Sequence, residues 1–225
     1  MKGKIIVIEG TDCSGKETQS LLLEEALKRK NINSFKMSFP NYNSPTGKII
    51  GNCYLGKNKE PYFKEGSNNV DPYVSSLYYA ADRKYNMDKE ILEYYNKGYY
   101  VILDRYTSSN QAHQGSKIKD KDERFNMYQW IDKLEYWLLK LPKPDITIYL
   151  HVPYENTIEL LKIRGNLDDN EKDKEFLRNS EEAYIELFEL YGWKRIECVE
   201  NKKIKTREEI HKEIINIVLE KKDER

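Results

Sequence analysis

The sequence predicts an α/β domain: a five-stranded parallel sheet flanked by helices on both faces, forming three layers. Three observations carry this reading. Apolar runs of strand length alternate with longer amphipathic runs along the whole chain, the trace left by strand–helix–strand units. The runs over residues 5–8 and 99–103 are continuously apolar, as strands covered on both sides are. The first of them passes through a glycine-bounded turn straight into a helical run.

At 225 residues the chain fits one domain, taken as 1–225, and buries a real core without disulfides or structural metal. Lys+Arg and Asp+Glu both total 38, so the net charge is zero. Nothing suggests a broad electrostatic surface for nucleic acid or an anionic membrane, and any anion has to be bound locally. Cys13, Cys53 and Cys198 show no paired spacing, which argues against a disulfide framework or a zinc site. A strand begins directly after Met1-Lys2-Gly3, and no apolar run approaches membrane-spanning length. A cytoplasmic location is expected.

In order, the elements are justified as follows. A first helix over 17–30 carries Leu21, Leu22, Ala26 and Leu27 at helical spacing, opposite its charges. A second strand over 34–39 stops at Pro40, which has no N–H for the ladder. Turn formers occupy 41–47, a short amphipathic piece ends near Leu55, and 56–70 reads as an exposed loop. Asp71-Pro72 is a helix start, and that helix should run to Lys97 and end at Gly98. Tyr79 and Arg83, four residues apart within it, share a face. Helical spacing over 107–115 turns Asn110, His113 and Gln114 to one side. After a charged connector at 117–123, a helix over 124–141 shows a stripe of Phe125, Tyr128, Ile131, Leu134, Trp137 and Leu138, and Pro142 ends it. A strand over 145–150, a helix from Pro153 to Arg164, a polar flap over about 165–174, a helix over 175–191, a strand over 193–199 and a helix capped by Thr206 complete the chain. His151 and His211 read as solvated or edge positions.

The chemistry sits at the strand ends. Gly10-Thr11-Asp12-Cys13-Ser14-Gly15-Lys16 follows the phosphate-binding loop pattern: glycines let backbone N–H groups face a phosphate, the helix start adds positive potential, and the lysine reaches the outer phosphates. The position after the lysine, usually a hydroxyl that meets magnesium, is Glu17, and a hydroxyl follows only at Thr18. A carboxylate at Glu17 suits the helix start but repels phosphate unless a metal or water intervenes. The strand over 99–103 ends in Asp104-Arg105, beyond the carboxyl ends of the strands where α/β proteins bind ligands. A carboxylate there can hold magnesium or its waters, and an arginine can grip a phosphate with two parallel hydrogen bonds.

With Ser38-Phe39-Pro40, Ala80-Ala81-Asp82-Arg83 and the run from Asp104 to Gly115 all in sequence, the chain resembles the thymidylate kinases over nearly its whole length. The resemblance implies the P-loop NTPase fold and transfer of the ATP γ-phosphoryl group to dTMP with Mg2+. It implies that the loop from Gly10 to Thr18, Cys13 and Ser14 included, holds ATP. Arg105 would bridge the acceptor phosphate, Asp12 would accept the 3′-hydroxyl, Tyr79 would stack on thymine, Arg83 would meet its O4 and Asn110 its ring N–H. Phe39, Tyr42, His113 and Gln114 complete the implied acceptor site, Asp104 and Thr18 the implied metal site, and a homodimer is implied as well. Four positions depart from the family pattern: Glu17; Tyr42, where relatives place a phosphate-binding arginine; His113, where they place a tyrosine or phenylalanine against the sugar; and Cys13, where an arginine is often found. Arg164, at the edge of the flap, is the candidate for the missing arginine. A kinase for thymidine, dUMP or another nucleoside monophosphate, and a non-catalytic ATP-binding protein, are the alternatives.

Overall fold

β1, Lys4–Glu9, is the middle strand of a five-stranded sheet ordered β2-β3-β1-β4-β5, with β2 Ser34–Ser38, β3 Tyr100–Asp104, β4 Ile146–His151 and β5 Lys194–Glu197. Every pairing is parallel. The computed structural model describes residues 2–57, 62–165 and 173–220. Successive side chains of β1 alternate between two cores, as a pleated strand requires. Ile6 and Ile8 join Leu23 and Leu27 of helix α1 (Lys16–Arg29) and Ile210 and Ile214 of helix α9 (Arg207–Leu219) on one face. Ile5 and Val7 join Met87 and Ile91 on the other. The result is the expected three-layer arrangement.

The register decides where the chemistry emerges. Ile8 pairs with Asp104, so the ends of β1 and β3 leave the sheet side by side. Glu9 closes β1 and the glycine loop follows, while Asp104 closes β3 and Arg105 follows.

Several elements differ in detail from their sequence signals. In α1, Leu21 is 45% exposed and Leu23 is fully buried. The face of this helix is set by Lys16, which must turn toward the loop, and Leu23 and Leu27 lie on that face by helical spacing where Leu21 does not. The helix that starts at Asp71 is α-helical over Pro72–Asn86 (α3), π-helical over Met87–Ile91 and α-helical again over Leu92–Asn96 (α4). Asp71 caps it by accepting from the N–H groups of Tyr73 and Val74 at 2.9 and 3.0 Å. Helix α6, Lys121–Asp132, starts inside the expected connector and also passes into a π-helical stretch, Lys133–Leu138. Of the expected stripe, Phe125, Trp137 and Leu138 are exposed while Tyr128 and Ile131 are buried, and the wider turn goes with Glu135 buried and Trp137 and Leu138 off the packed face.

The expected last strand divides: β5 stops at Glu197, and β6 (Val199–Glu200) pairs antiparallel with β7 (Lys203–Ile204). Lys117, at the start of the charged connector, donates from its Nζ to the carbonyls of Ser67 and Val70 at 2.9 and 3.0 Å and holds the end of the 62–70 loop down. His151 is buried between Glu197 (2.6 Å) and Glu181 (2.9 Å), which raises its pKa against the opposing effect of burial. Among the described residues no helix is long and apolar enough to cross a membrane.

Candidate active site

The loop between β1 and α1 is shaped by its two glycines. Gly10 has φ +153°, and a Cβ there would fall 2.5 Å from Ser14 Oγ and 2.6 Å from the Leu150 carbonyl oxygen. Gly15, at φ +86°, precedes the first turn of α1 in the left-handed region that glycine adopts without strain. Lys16 is only 6% exposed, and its Nζ donates to the Thr11 carbonyl at 2.6 Å, folding the lysine back over the loop. Burial, with the Arg105 guanidinium nearby, lowers the ammonium to a pKa of about 8. Glu17 is exposed on the first turn of α1 and Thr18 beside it is half-buried.

Across the sheet end, Asp104 is 7% exposed and accepts from Ser38 Oγ at 3.3 Å. Arg105 adopts φ +69°, a conformation that costs a non-glycine residue roughly 1–3 kcal/mol. Its N–H donates to the Ile8 carbonyl at 3.1 Å, and its guanidinium reaches Asp12, Ser109 (3.4 Å) and His113 Nε2 (3.2 Å). Burial pushes the Asp12 carboxyl up, but Arg105, with Lys16 behind it, holds it well below the ordinary carboxylate range.

Helix α5, Thr107–Gly115, has no side-chain cap of its own. Glu9 replaces it from the end of β1: its carboxylate accepts from the N–H of Tyr106 (2.8 Å), the N–H of Ser109 (3.1 Å), Ser109 Oγ (2.6 Å) and Tyr184 Oη (3.1 Å). Burial raises the Glu9 pKa against these hydrogen bonds. The strand that carries the glycine loop is thereby tied directly to the helix that carries Asn110, His113 and Gln114.

Asp12, Phe39, Tyr42, Tyr79, Arg83, Arg105, Asn110, His113 and Gln114, all nine residues expected around an acceptor, line one cleft of about 90 Å³ together with Pro40, Leu55 and Ser109. The Phe39-Pro40 peptide is cis. Tyr79 packs edge-on against Tyr54, with ring centroids 5.7 Å apart. Arg83 is held by Glu135, its Nε 2.6 Å from the carboxylate and its Nη2 on the other oxygen. Tyr42 is 38% exposed under the Lys57 ammonium, which sits 3.6 Å from the ring centre. Its loop is pinned to α3 by Asp82, which accepts from the Asn41 N–H (2.9 Å), Ser44 Oγ (2.9 Å) and Thr46 Oγ1 (2.7 Å).

His113 lies parallel to Phe176 with centroids 5.8 Å apart; burial first, and Arg105 second, lower its pKa to about 3, so the ring is neutral. Three buried polar atoms on these cleft residues, Asn110 Oδ1, His113 Nδ1 and Gln114 Oε1, have no hydrogen-bond partner among the described residues. Each such group costs about 1–3 kcal/mol when left unsatisfied, so a ligand in the cleft that supplied the missing partners would gain from all three.

Not everything expected converges here. Arg164 ends helix α7 (Tyr154–Arg164), is exposed, and does not line the cleft. Of the expected flap at 165–174, residues 166–172 lie outside the described residues; Gly165 closes α7 and Asp173 caps helix α8, Lys174–Tyr191, by accepting from the Phe176 N–H at 3.0 Å. A larger cavity of about 690 Å³ opens at the opposite, amino ends of the strands, beside Lys4, Tyr100, Asp145 and Lys194. The phosphate-binding loop does not reach it, so its size does not make it the site.

Glu9 and Glu135 were not read from the sequence as parts of the site, and Asp82 stood in a quoted motif without a role. A glutamate ending an apolar strand is the one signal that could have found Glu9, because a charge at that place needs donors when it is buried.

The sequence pattern of the family described as Thymidylate kinase matches residues 8–214. A "Probable thymidylate kinase" of Pyrococcus horikoshii is 31% identical over 223 residues, covering 97% of each chain. A thymidylate kinase of a Thermoanaerobacter species is 28% identical over 221 residues, covering 97% of this chain and 98% of its own. A solved structure of thymidylate kinase from Candida albicans superposes with a TM-score of 0.71 at 26% identity, over 96% of this chain and 91% of that one. By sequence pattern, by relatives over its full length and by fold, the chain belongs to the thymidylate kinase family.

Proposed function

We propose that the protein is a dTMP kinase, transferring the γ-phosphoryl group of ATP to dTMP to give dTDP on the route to dTTP. The observation that carries this reading is the junction of two sites: the glycine loop with Lys16 opens onto the cleft through Asp12, which belongs to the loop and also lines the cleft.

In this reading the loop amides and Lys16 take the ATP phosphates. Arg105 forks onto the acceptor phosphate, and Asp12 accepts the sugar's 3′-hydroxyl. Thymine lies against Tyr79, with Arg83 donating to O4 and Asn110 Oδ1 accepting from the ring N–H. Phosphoryl transfer asks the protein mainly to align two nucleotides and spread the developing charge. Two fixed cations on opposite sides of the transferred group, Lys16 and Arg105, supply that.

Magnesium fits the donor set. Asp104 and Thr18 offer hard oxygen ligands at the loop, and Mg2+ at nucleotide sites takes one or two carboxylates, with phosphates and water completing the shell. When bound it neutralises phosphate charge. Arg164 is proposed as the arginine that completes the site from the flap side. A cytoplasmic homodimer is part of the same reading; Phe125, Trp137 and Leu138, 41%, 62% and 55% exposed, offer apolar contact area for a second copy.

The test is an acceptor panel with ATP against dTMP, dUMP, thymidine and UMP. dTMP is expected to be the best acceptor by kcat/KM. If thymidine is phosphorylated and dTMP is inert, or if ATP binds and no acceptor turns over, the proposal fails.

A further inference from the structure

We infer that Glu135, which does not line the cleft, determines which base the cleft accepts by fixing the hydrogen-bonding polarity of Arg83 and Asn110. The inference rests on the reading that the acceptor base lies between these two residues.

Glu135 is fully buried, within the π-helical stretch after α6. Its carboxylate accepts four hydrogen bonds: from Arg83 Nε at 2.6 Å, from Arg83 Nη2, from Thr107 Oγ1 at 2.9 Å and from Asn110 Nδ2 at 2.9 Å. Asn110 Nδ2 also donates to the Ser76 carbonyl at 3.2 Å. Both partners of that amide nitrogen are acceptors only, so the amide has one orientation available. Its oxygen is therefore turned away from Glu135, buried and without a partner among the described residues. Arg83 is locked in the same way, with one edge of the guanidinium spent on the carboxylate and Nη1 outside the bidentate pair.

One anionic side chain thus presents the cleft with a fixed acceptor beside a fixed cationic donor. Among the pyrimidines, a base satisfies both only if it offers a ring N–H next to a carbonyl, which is the imide edge of thymine or uracil. Cytosine offers a ring acceptor next to an amine at the same place and meets like with like twice. A pocket built around a hydrogen bond rejects the analogue that lacks it far more sharply than an apolar pocket rejects a methyl group. Glu135 does this without touching the nucleotide, as a positioning residue.

The experiment compares Glu135→Gln and Glu135→Asp with wild type on dTMP and dCMP. A glutamine at 135 must aim its own N–H₂ at either Arg83 or Asn110. Repulsion from the guanidinium sends it to Asn110, whose amide then flips and offers the cleft a donor. The kcat/KM ratio of dTMP to dCMP is expected to fall tenfold or more, through KM for dTMP, with kcat at saturation within a fewfold of wild type. Glu135→Asp keeps an acceptor-only group and is expected to keep the ratio. Equal losses on both substrates in Glu135→Gln would reduce Glu135 to a structural residue and overturn the inference.

A measurement on the wild type covers the case in which the glutamine variant does not fold. The Asn110 side-chain N–H₂ protons are expected to exchange slowly with solvent both with and without dTMP, and rapid exchange in the free enzyme overturns the assigned orientation. A wild type that does not phosphorylate dTMP sinks the dTMP kinase reading; a wild type that prefers dTMP with an unchanged ratio in Glu135→Gln sinks only this inference.

Discussion

Arg105 and Asp12 are ion-paired across the junction of the two sites, although they stand 93 positions apart in the chain. The pair occupies the place where the acceptor phosphate is proposed to arrive, so Arg105 has an internal anion as a stand-in for the ligand. Its left-handed backbone, its N–H bond to Ile8 and its contacts to Ser109 and His113 aim it there in advance. Binding then exchanges one anionic partner for another and costs little reorganisation, which is what a preorganised clamp requires.

Arg105→Ala removes the clamp and leaves Asp12, with only Lys16 to oppose it, at the entry point of a phosphate. Turnover of dTMP is expected to fall about a hundredfold or more, the usual loss when a charged transition-state contact is deleted. Arg105→Lys is expected to recover only part of it, because a single ammonium cannot form two parallel bonds. Steady-state kinetics with near-normal kcat in the alanine variant would remove Arg105 from the mechanism.

His113 stands over the proposed sugar position as a neutral ring, its pKa lowered to about 3 by burial and by Arg105, with its Nδ1 unpartnered among the described residues. An unpartnered ring nitrogen tolerates a 2′-hydroxyl better than a carbon edge does. His113→Phe is therefore expected to raise the kcat/KM ratio of dUMP to UMP severalfold, at unchanged fold stability within about 1 kcal/mol for a ring-for-ring exchange. Because the imidazole ionises only near pH 3, wild-type selectivity between pH 5 and 8 is expected to stay flat, and a step in that range would place its charge change elsewhere.

The layers, the five strands and the glycine loop were legible in the sequence because each carries a local signal, an apolar run or a glycine spacing; helical spacing put Tyr79 with Arg83 and Asn110 with His113 and Gln114, whereas Asp12, Phe39 and Tyr42 were expected at the cleft only from the family resemblance. What escaped was set by contacts between distant parts. Glu135 sits four positions after Ile131 and shares its buried face, but a carboxylate there shows no reason to be buried until Arg83, Thr107 and Asn110 are brought to it from distant parts of the chain. Glu9 caps a helix about 100 residues further on, a relation no window along the chain contains. His151 looked solvated because the carboxylates that bury it, Glu181 and Glu197, lie on α8 and β5. Even within α1, the misread of Leu21 for Leu23 came from a tertiary cause, the inward turn of Lys16.

Glu17 occupies the position where a hydroxyl usually meets the metal, and it is exposed on the same turn as Thr18. A carboxylate there repels the β- and γ-phosphates of ATP unless an ion stands between them. Glu17→Thr is expected to bind ATP several times more tightly without added metal and to reach half-saturation at a lower magnesium concentration. Calorimetric titration of ATP at a series of magnesium concentrations checks this. Identical curves for the two proteins would place Glu17 beyond the reach of both phosphate and ion.

Lys16 links function to a cost in stability. Its folded-state pKa of about 8 lies below the ordinary lysine value of 10.5, so between those limits the unfolded chain binds more protons than the folded one. Stability attributable to this residue therefore rises with pH across that window, and below about pH 8 the charged ammonium is buried at a penalty of roughly 3 kcal/mol. Lys16→Met, similar in length and uncharged, is expected to be more stable than wild type at pH 7 in the absence of nucleotide, with an advantage that shrinks toward pH 10. ATP binding moves the other way: the phosphates need the protonated form, so wild-type affinity is expected to weaken above pH 8 by no more than tenfold per pH unit, the limit for one linked proton. Thermal denaturation of both proteins at pH 7, 8.5 and 10, alongside ATP titrations of the wild type, tests both halves. A stability difference that stays constant with pH would mean that the lysine is not strained by burial, and an ATP affinity independent of pH would mean that it does not hold the phosphates.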